Sequence, residues 1–398
     1  MIRLYQIGIH FYGLLMAFAS LFNKKVKLWT EGQKNAFNNL PSNSDSEIVW
    51  VHCASLGEYE QAIPLLKKIE EWKPNYSLLV TFFSPSGYVN AKQGFIDYKS
   101  YLPLDTKKNS EQFLDIVKPK LAIFIKNEFW PNYLYELQKR NIPIISASAL
   151  FRSSQFIFKP YGKWLLAILK NITHFYVQDE NSQELLKNKG FTNTRICGDS
   201  RYDRVKNHLA NKKSIPHIEA FKSGKKLIVC GSTYELDSQM IINISRRQPD
   251  LKFIIAPHEI ELSNKLKHDG IFYSESKDKD LSNTSILIID SIGILAQLYQ
   301  YADIAYVGGG FGHNGLHNIL EPLVFSVPII IGPNYHKFPE AKEVLKVGVA
   351  NSIGTEEDFE KLILEKLSNP TDKSTASNFC LERSGASKII FEGIKTQL

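Results

Sequence analysis

Two acidic motifs and one glycine-rich stretch carry most of the chemistry available to this chain. Ser55-Leu56-Gly57-Glu58 follows one apolar run, and Asn127-Glu128-Phe129-Trp130-Pro131 follows another. Two carboxylates on neighbouring loops can divide a general-base role from a charge-orienting one. Each also has a plainer reading. Ser-x-x-Glu is the capping box, in which Ser55 starts a helix and Glu58 folds back on the backbone. Pro64 tells against a plain capped helix from Ser55, because inside a helix it removes a hydrogen bond and forces a kink. A loop through Glu58, with the regular helix beginning nearer Pro64, would leave the carboxylate facing a ligand. Pro131 suits a first helical turn, which puts Glu128 on the loop before it.

Gly308–Glu321 (GGGFGHNGLHNILE) is the richest stretch. Gly310–Gly315 matches G-x-G-x-x-G, but it lies near the end of the chain rather than in a first βαβ unit. The next apolar run ends in Gly332-Pro333-Asn334, with no acidic residue for a ribose hydroxyl, so a dinucleotide site is rejected. The better account is a loop whose glycines admit a phosphate to backbone amides, leading to a helix whose positive end favours the anion. Asn318 is expected as N-cap and Glu321 as the third helical position, which leaves Glu321 structural, ligand-binding or both. Gly231-Ser232-Thr233 is a second candidate anion loop, and Pro257-His258 a weaker site.

These motifs need a scaffold, and the apolar runs supply one. Runs at 48–53, 77–83, 121–125, 142–147 and 174–177 alternate with amphipathic segments; the pattern restarts at 226–230, 252–256, 285–290, 303–307 and 328–331. Short continuous apolar runs of this kind form parallel sheets covered on both faces. Two doubly wound, Rossmann-like α/β domains are expected, with ligands beyond the carboxyl ends of their strands, in a cleft between the two sheets. The boundaries read as 1–27 for an N-terminal helix and basic flank, 28–205 for the first domain, 206–224 for a linker, 225–376 for the second domain and 377–398 for a closing helix.

Composition is that of ordinary globular protein: 398 residues, 43% hydrophobic and 22% charged. A net charge of +7 and a pI near 8.9 suit an acidic partner. Scattered lysines and the absence of any recognition signature argue against nucleic acid. The four cysteines lie far apart with no zinc spacing, so they read as small buried hydrophobes and no metal is expected. From Ile2 to Phe22 the chain is almost wholly apolar or aromatic, and Lys24, Lys25 and Lys27 follow. With no cleavage site it reads as a membrane-associated helix, spanning or lying in the inner leaflet, with the rest of the chain on the cytoplasmic side.

Taken in order over nearly the whole chain, VHCASLGE, NEFWPN, GDSRYD, GSTYE, APHE, Asp290–Leu295 and VGGGFG…GLHNILEP…GPNYHKF resemble the 3-deoxy-D-manno-octulosonate (Kdo) transferases. The resemblance implies the glycosyltransferase B architecture of two Rossmann-like domains. It implies transfer of Kdo from CMP-Kdo to a lipid A precursor (lipid IVA) at the inner membrane, without a metal or other cofactor. Glu58 would be the general base, with Glu128 and Arg201 stabilising the transition state. Pro257, His258, Ile292, Gly293, Ile294, Asn318, Ile319, Leu320 and Glu321 would form the CMP pocket. The family commonly has Glu-Thr-Glu at 126–128, Lys at 201, Arg at 258 and Gly-Glu-Leu at 293–295, so this chain departs at each. Two other readings stand beside it: a UDP-sugar transferase or 2-epimerase of the same fold, the epimerase disfavoured by the apolar N-terminus and basic charge and the transferase by the HNILEP context, and a non-catalytic membrane-anchored glycan-binding scaffold, disfavoured by Glu58 and Glu128.

Overall fold

The apolar runs become the strands of two parallel sheets because a strand buried on both faces needs no polar side. A computed structural model describes residues 2–42, 46–72, 75–91, 94–312, 315–369 and 373–398. The chain divides into two compact units: Met1–Arg204 together with Arg383–Leu398, and Val205–Glu382.

The first unit contains β1 (Glu47–Cys53), β2 (Tyr76–Phe82), β3 (Tyr98–Tyr101), β4 (Leu121–Ile125), β5 (Ile144–Ala149), β6 (His174–Val177) and β7 (Thr194–Ile196). They form one parallel sheet in the order β3-β2-β1-β4-β5-β6-β7. Side chains alternate between its faces. Trp50 points to one face, with ring centroids 4.8 Å from Phe113, 5.2 Å from Phe124 and 5.6 Å from Tyr133. Val49, Val51 and Cys53 point to the other, among Leu66, Ile69 and Ile390. Each large side chain buried this way contributes about 1.5–3 kcal/mol.

The second unit repeats the plan with β8 (Lys226–Thr233), β9 (Leu251–Pro257), β10 (Ile271–Phe272), β11 (Ile286–Ile288), β12 (Ile304–Val307), β13 (Ile329–Ile331) and β14 (Ala350–Ser352). Their order is β10-β11-β9-β8-β12-β13-β14, again all parallel. In both sheets the order reverses beside the first strand, between β1 and β4 and between β8 and β12. Those reversals are the switch points where ligands bind in such sheets.

Two expectations change, and a third keeps one of its two forms. Residues 206–224 are no bare linker. They hold the end of helix Ser200–Ala210 and all of helix Ile218–Lys222, and Ile215, Ile218 and Phe221 pack into the core of the second unit. The C-terminal stretch is two helices, Lys373–Arg383 and Ala386–Ile394. The second of these packs on helix Leu56–Trp72 of the first unit, and its start is capped by Asp203, which accepts from Gly385 N at 2.5 Å and Ser387 N at 2.6 Å. The N-terminal helix, Ile2–Ala19, has no buried residue. Among the described residues no helix is long and apolar enough to cross a membrane. Tyr5 donates to Asp105 at 2.6 Å and meets Trp164 at a tilt, with ring centroids 5.7 Å apart, and Tyr12 meets Trp29, so one side of the helix lies along the first unit. The other side exposes Leu4, Ile7, Phe11, Leu14, Leu15 and Phe18 at helical spacing, Leu14 by 70%.

Candidate active site

Glu58 and Glu128 rise from the ends of β1 and β4, adjacent strands that pair from Val49↔Leu121 to His52↔Phe124. Contrary to the loop expected there, helix Leu56–Trp72 begins before Glu58 and runs through Pro64. Burial of Tyr59, Ala62, Leu65, Leu66 and Ile69 on one face of the helix, with Pro64 itself buried, outweighs the hydrogen bond that Pro64 removes. The capping pattern forms: Glu58 N donates to Ser55 Oγ at 3.4 Å, and Glu58 Oε2 accepts from Ala54 N at 2.5 Å. A carboxylate has about four acceptor sites, so this cap fixes Glu58 in place and leaves it capacity for a substrate hydroxyl.

Burial raises the Glu58 pKa, while Lys126 and the backbone amides of Ala54 and Ser55 pull it down. Glu128 goes up to about 7, first through burial and then through the charge of Glu58, against the pull of Trp130 and Lys126. Lys126, at a left-handed φ of 61°, acts on both. Burial holds the Cys53 thiol well above its usual range, reinforced by the charges of Glu58 and Glu128, so it stays protonated beside them. All four cysteines are buried.

Arg201 is placed differently. It starts helix Ser200–Ala210 after β7, the far edge of the sheet, and grips Asp199 through Nε at 2.7 Å and through its terminal nitrogen at 2.6 Å. Three strand spacings, about 14 Å, separate β7 from β4. The loop before it reaches back over the sheet: Ser148, near the end of β5, donates to Gly198 O at 3.3 Å and accepts from Ser200 N at 3.2 Å, and Arg204 of the same helix pairs with Glu60, two residues past Glu58, at 2.9 Å.

In the second unit, buried Asp237 organises the β8–β12 switch point. It accepts from Tyr234 N at 2.8 Å, Gly309 N at 3.1 Å and Tyr306 Oη at 2.6 Å. The glycines are there for close approach: a Cβ on Gly308 would come within 2.4 Å of Ser232 O, and one on Gly310 within 2.7 Å of Gly332 Cα. Gly308 N and Gly312 N bond to Gly231 O and Gly309 O. These amides, with Gly309 N, are therefore committed within the fold rather than presented to a phosphate. His313 and Asn314 of the expected glycine motif lie outside the described residues.

The helix after this loop is one turn, Leu320–Leu323, too short for the end charge expected of it. Its N-cap is Ile319, not Asn318, and Glu321 is the second helical residue. Asn318 still accepts from Leu320 N at 3.2 Å, and its amide donates to Glu321 Oε1 at 3.0 Å. Ile319 and Leu320 are buried, so only their backbone can meet a ligand. His258 follows Pro257 at the end of β9; its N donates to Thr233 O at 3.0 Å and its ring stacks on His317 at 4.2 Å. His317 in turn lies 3.2 Å from Tyr234 Oη, and its pKa falls to about 4 through burial and then His258. Gly293 adopts φ 95°, and Ile292 beside it is 83% exposed; Ile294 precedes helix Leu295–Leu298. Pro257, His258, Gly231–Thr233 and the Asn318–Glu321 turn thus stand at the carboxyl ends of β8, β9 and β12.

Sequence reasoning did not single out His52, Asp237 or the Tyr234–His258–His317 stack. A charged residue three positions past Tyr234 was a capping signal in plain sight, whereas the stack joins rings distant in sequence.

A family model described as 3-deoxy-D-manno-octulosonic-acid transferase (kdotransferase) matches residues 28–204. A 3-deoxy-D-manno-octulosonic acid transferase of Haemophilus influenzae is 28% identical over 410 residues, covering 97% of this chain and 96% of that protein. A bifunctional glycosyltransferase/methyltransferase of Fusobacterium nucleatum is 27% identical over 376 residues, covering 90% of this chain and 58% of that longer protein. A UDP-GlcNAc 2-epimerase structure from Neisseria meningitidis shares the fold, with a TM-score of 0.60 at 13% identity over 88% of this chain and all of that one.

Proposed function

We propose that the chain is a Kdo transferase, a glycosyltransferase moving Kdo in lipopolysaccharide core synthesis, as its similarity to that family model and to full-length Kdo transferases supports; it uses CMP-Kdo as donor, lipid IVA as acceptor and Glu58 as general base. The observation that carries the base assignment is Glu58 itself, a carboxylate fixed by the Ala54 amide beside Glu128 at the β1–β4 switch point. In the proposed step an acceptor hydroxyl gives its proton to Glu58 while its oxygen bonds to the anomeric carbon of Kdo. The bond from that carbon to the CMP phosphate breaks, and its electron pair leaves with the phosphate. CMP is already a good leaving group, so protein groups alone suffice.

Glu128, whose pKa is near 7, would stand as the charge-orienting partner, and Arg201 as a cationic group for the acceptor or the donor's carboxylate. Pro257, His258, the Ile292–Ile294 turn and Asn318–Glu321 would hold CMP, with Glu321 accepting the ribose hydroxyls. An apolar acceptor is supported by a cavity of about 650 Å³ lined by Ile2, Pro131, Tyr135, Trp164 and Ile168 with Lys107 among them. It opens beside the N-terminal helix, whose exposed apolar side would lie in the cytoplasmic face of the inner membrane, as amphipathic helices do. Incubation with CMP-Kdo and tetra-acylated lipid A precursor should release CMP. Release with UDP-N-acetylglucosamine turnover instead would favour the epimerase reading.

A further inference from the structure

His52 is the second-last residue of β1, fully buried, on the same sheet face as Trp50 and opposite Thr81 of β2. Thr81 Oγ1 meets both of them, Trp50 Nε1 at 2.8 Å and His52 Nδ1 at 3.0 Å. An indole nitrogen only donates, so the threonine oxygen accepts from Trp50 and has one hydroxyl proton to direct at Nδ1. With that proton directed at Nδ1, in place of the oxygen's second lone pair, the imidazole proton stands on Nε2, and this is the tautomer the inference uses. That nitrogen is buried with no hydrogen-bond partner, and it lies 3.9 Å from Glu128 Oε2. Rings of Phe124 at 6.0 Å and Trp130 at 5.8 Å hold the imidazole edge-on, so it keeps this direction. Burial lowers the His52 pKa to about 3, which leaves the ring neutral: a donor, not a counter-charge.

We infer that His52 is a positioning residue for Glu128, its Nε2–H aiming the Glu128 carboxylate and closing to a hydrogen bond when substrate fills the site. A buried donor left unmatched is costly, and catalytic hydrogen bonds that are long without substrate commonly tighten with it. The inference rests on the proposed role of Glu128 in transfer.

Two substitutions separate the ring nitrogens. In His52→Gln the amide nitrogen falls near Nε2, and in His52→Asn near Nδ1. The expected result is turnover within about threefold of wild type for His52→Gln and a loss of about 10–100-fold in kcat for His52→Asn, with KM for CMP-Kdo unchanged. Adding His52→Asn to Glu128→Gln should cost nothing more than Glu128→Gln alone. Equal losses in the two variants, the reverse order, or full additivity with Glu128→Gln would overturn the inference. If Glu128→Gln alone turns over normally, the role given to Glu128 has failed, and the inference falls with it. Nitrogen-15 NMR of the wild-type protein gives a reading that needs no variant: the proton is expected on Nε2 of His52, and a proton on Nδ1 overturns the assignment whatever the status of Glu128.

Discussion

The charge of Glu58 raises the pKa of Glu128, second only to burial, and so couples the two carboxylates across the β1–β4 switch point. Interacting acids titrate as a pair, in two macroscopic steps. Glu58, Lys126 and the Trp130 indole all act on Glu128. The fall of kcat/KM on acidification should therefore come above the ordinary carboxylate range near 4.3. Glu128→Gln should move that limb down, because the like charge is gone. A limb that stays in place in the variant would show that the two groups titrate independently.

Stability should move the other way in the same variant. Glu128 holds its proton in the folded state up to about 7, against an ordinary 4.5. Below that lower value both folded and unfolded chains are protonated. Between the two only the folded chain is, so stability falls as pH rises, by about 3 kcal/mol in all. Glu128→Gln should lose this slope and melt higher than wild type at pH 8. Equal melting temperatures at pH 8 would mean that Glu128 is not held in an unfavourable charged form.

Much of this arrangement was legible in the sequence, and what was not has a common physical cause. The ten strands expected from apolar runs are all present. The four missed, β3, β7, β10 and β14, are the four sheet edges, where a strand is half covered and needs no apolar run: Thr194–Ile196 shows only intermediate and exposed residues. Glu58 and Glu128 were found because they sit at strand ends. Asp237 was not, since Tyr306 and Gly309 lie 69 and 72 residues along the chain. Local propensity places the helix start nearer Pro64, but packing of the helix face sets it at Leu56.

Glu321→Ala should weaken CMP binding by about ten- to a hundredfold, the cost of leaving ribose hydroxyls unpaired. Its carboxylate takes a hydrogen bond from the Asn318 side chain and begins only a one-turn helix, so the melting temperature should change little. Calorimetric titration and a melting curve on the same preparation distinguish the roles. A lower melting point with unchanged CMP affinity would make Glu321 structural.

Leu14→Glu with Phe18→Glu should release the protein from anionic vesicles, on the order of tenfold or more in partitioning. Both side chains are exposed on the outer side of the N-terminal helix, so folding should be untouched. Unchanged sedimentation with vesicles in high salt, where charge attraction is screened, would place the attachment elsewhere.

The central claim is that Glu58 deprotonates the acceptor rather than merely capping its helix. Glu58→Gln keeps an oxygen to accept from Ala54 N but cannot take a proton, so fold and donor binding are preserved while the chemistry is removed. Measured on one preparation with CMP-Kdo and lipid IVA, turnover should fall by a factor of about 10² to 10⁴, with CMP affinity unchanged. Turnover near that of wild type, at unchanged CMP affinity, would contradict the account and leave Glu58 a cap.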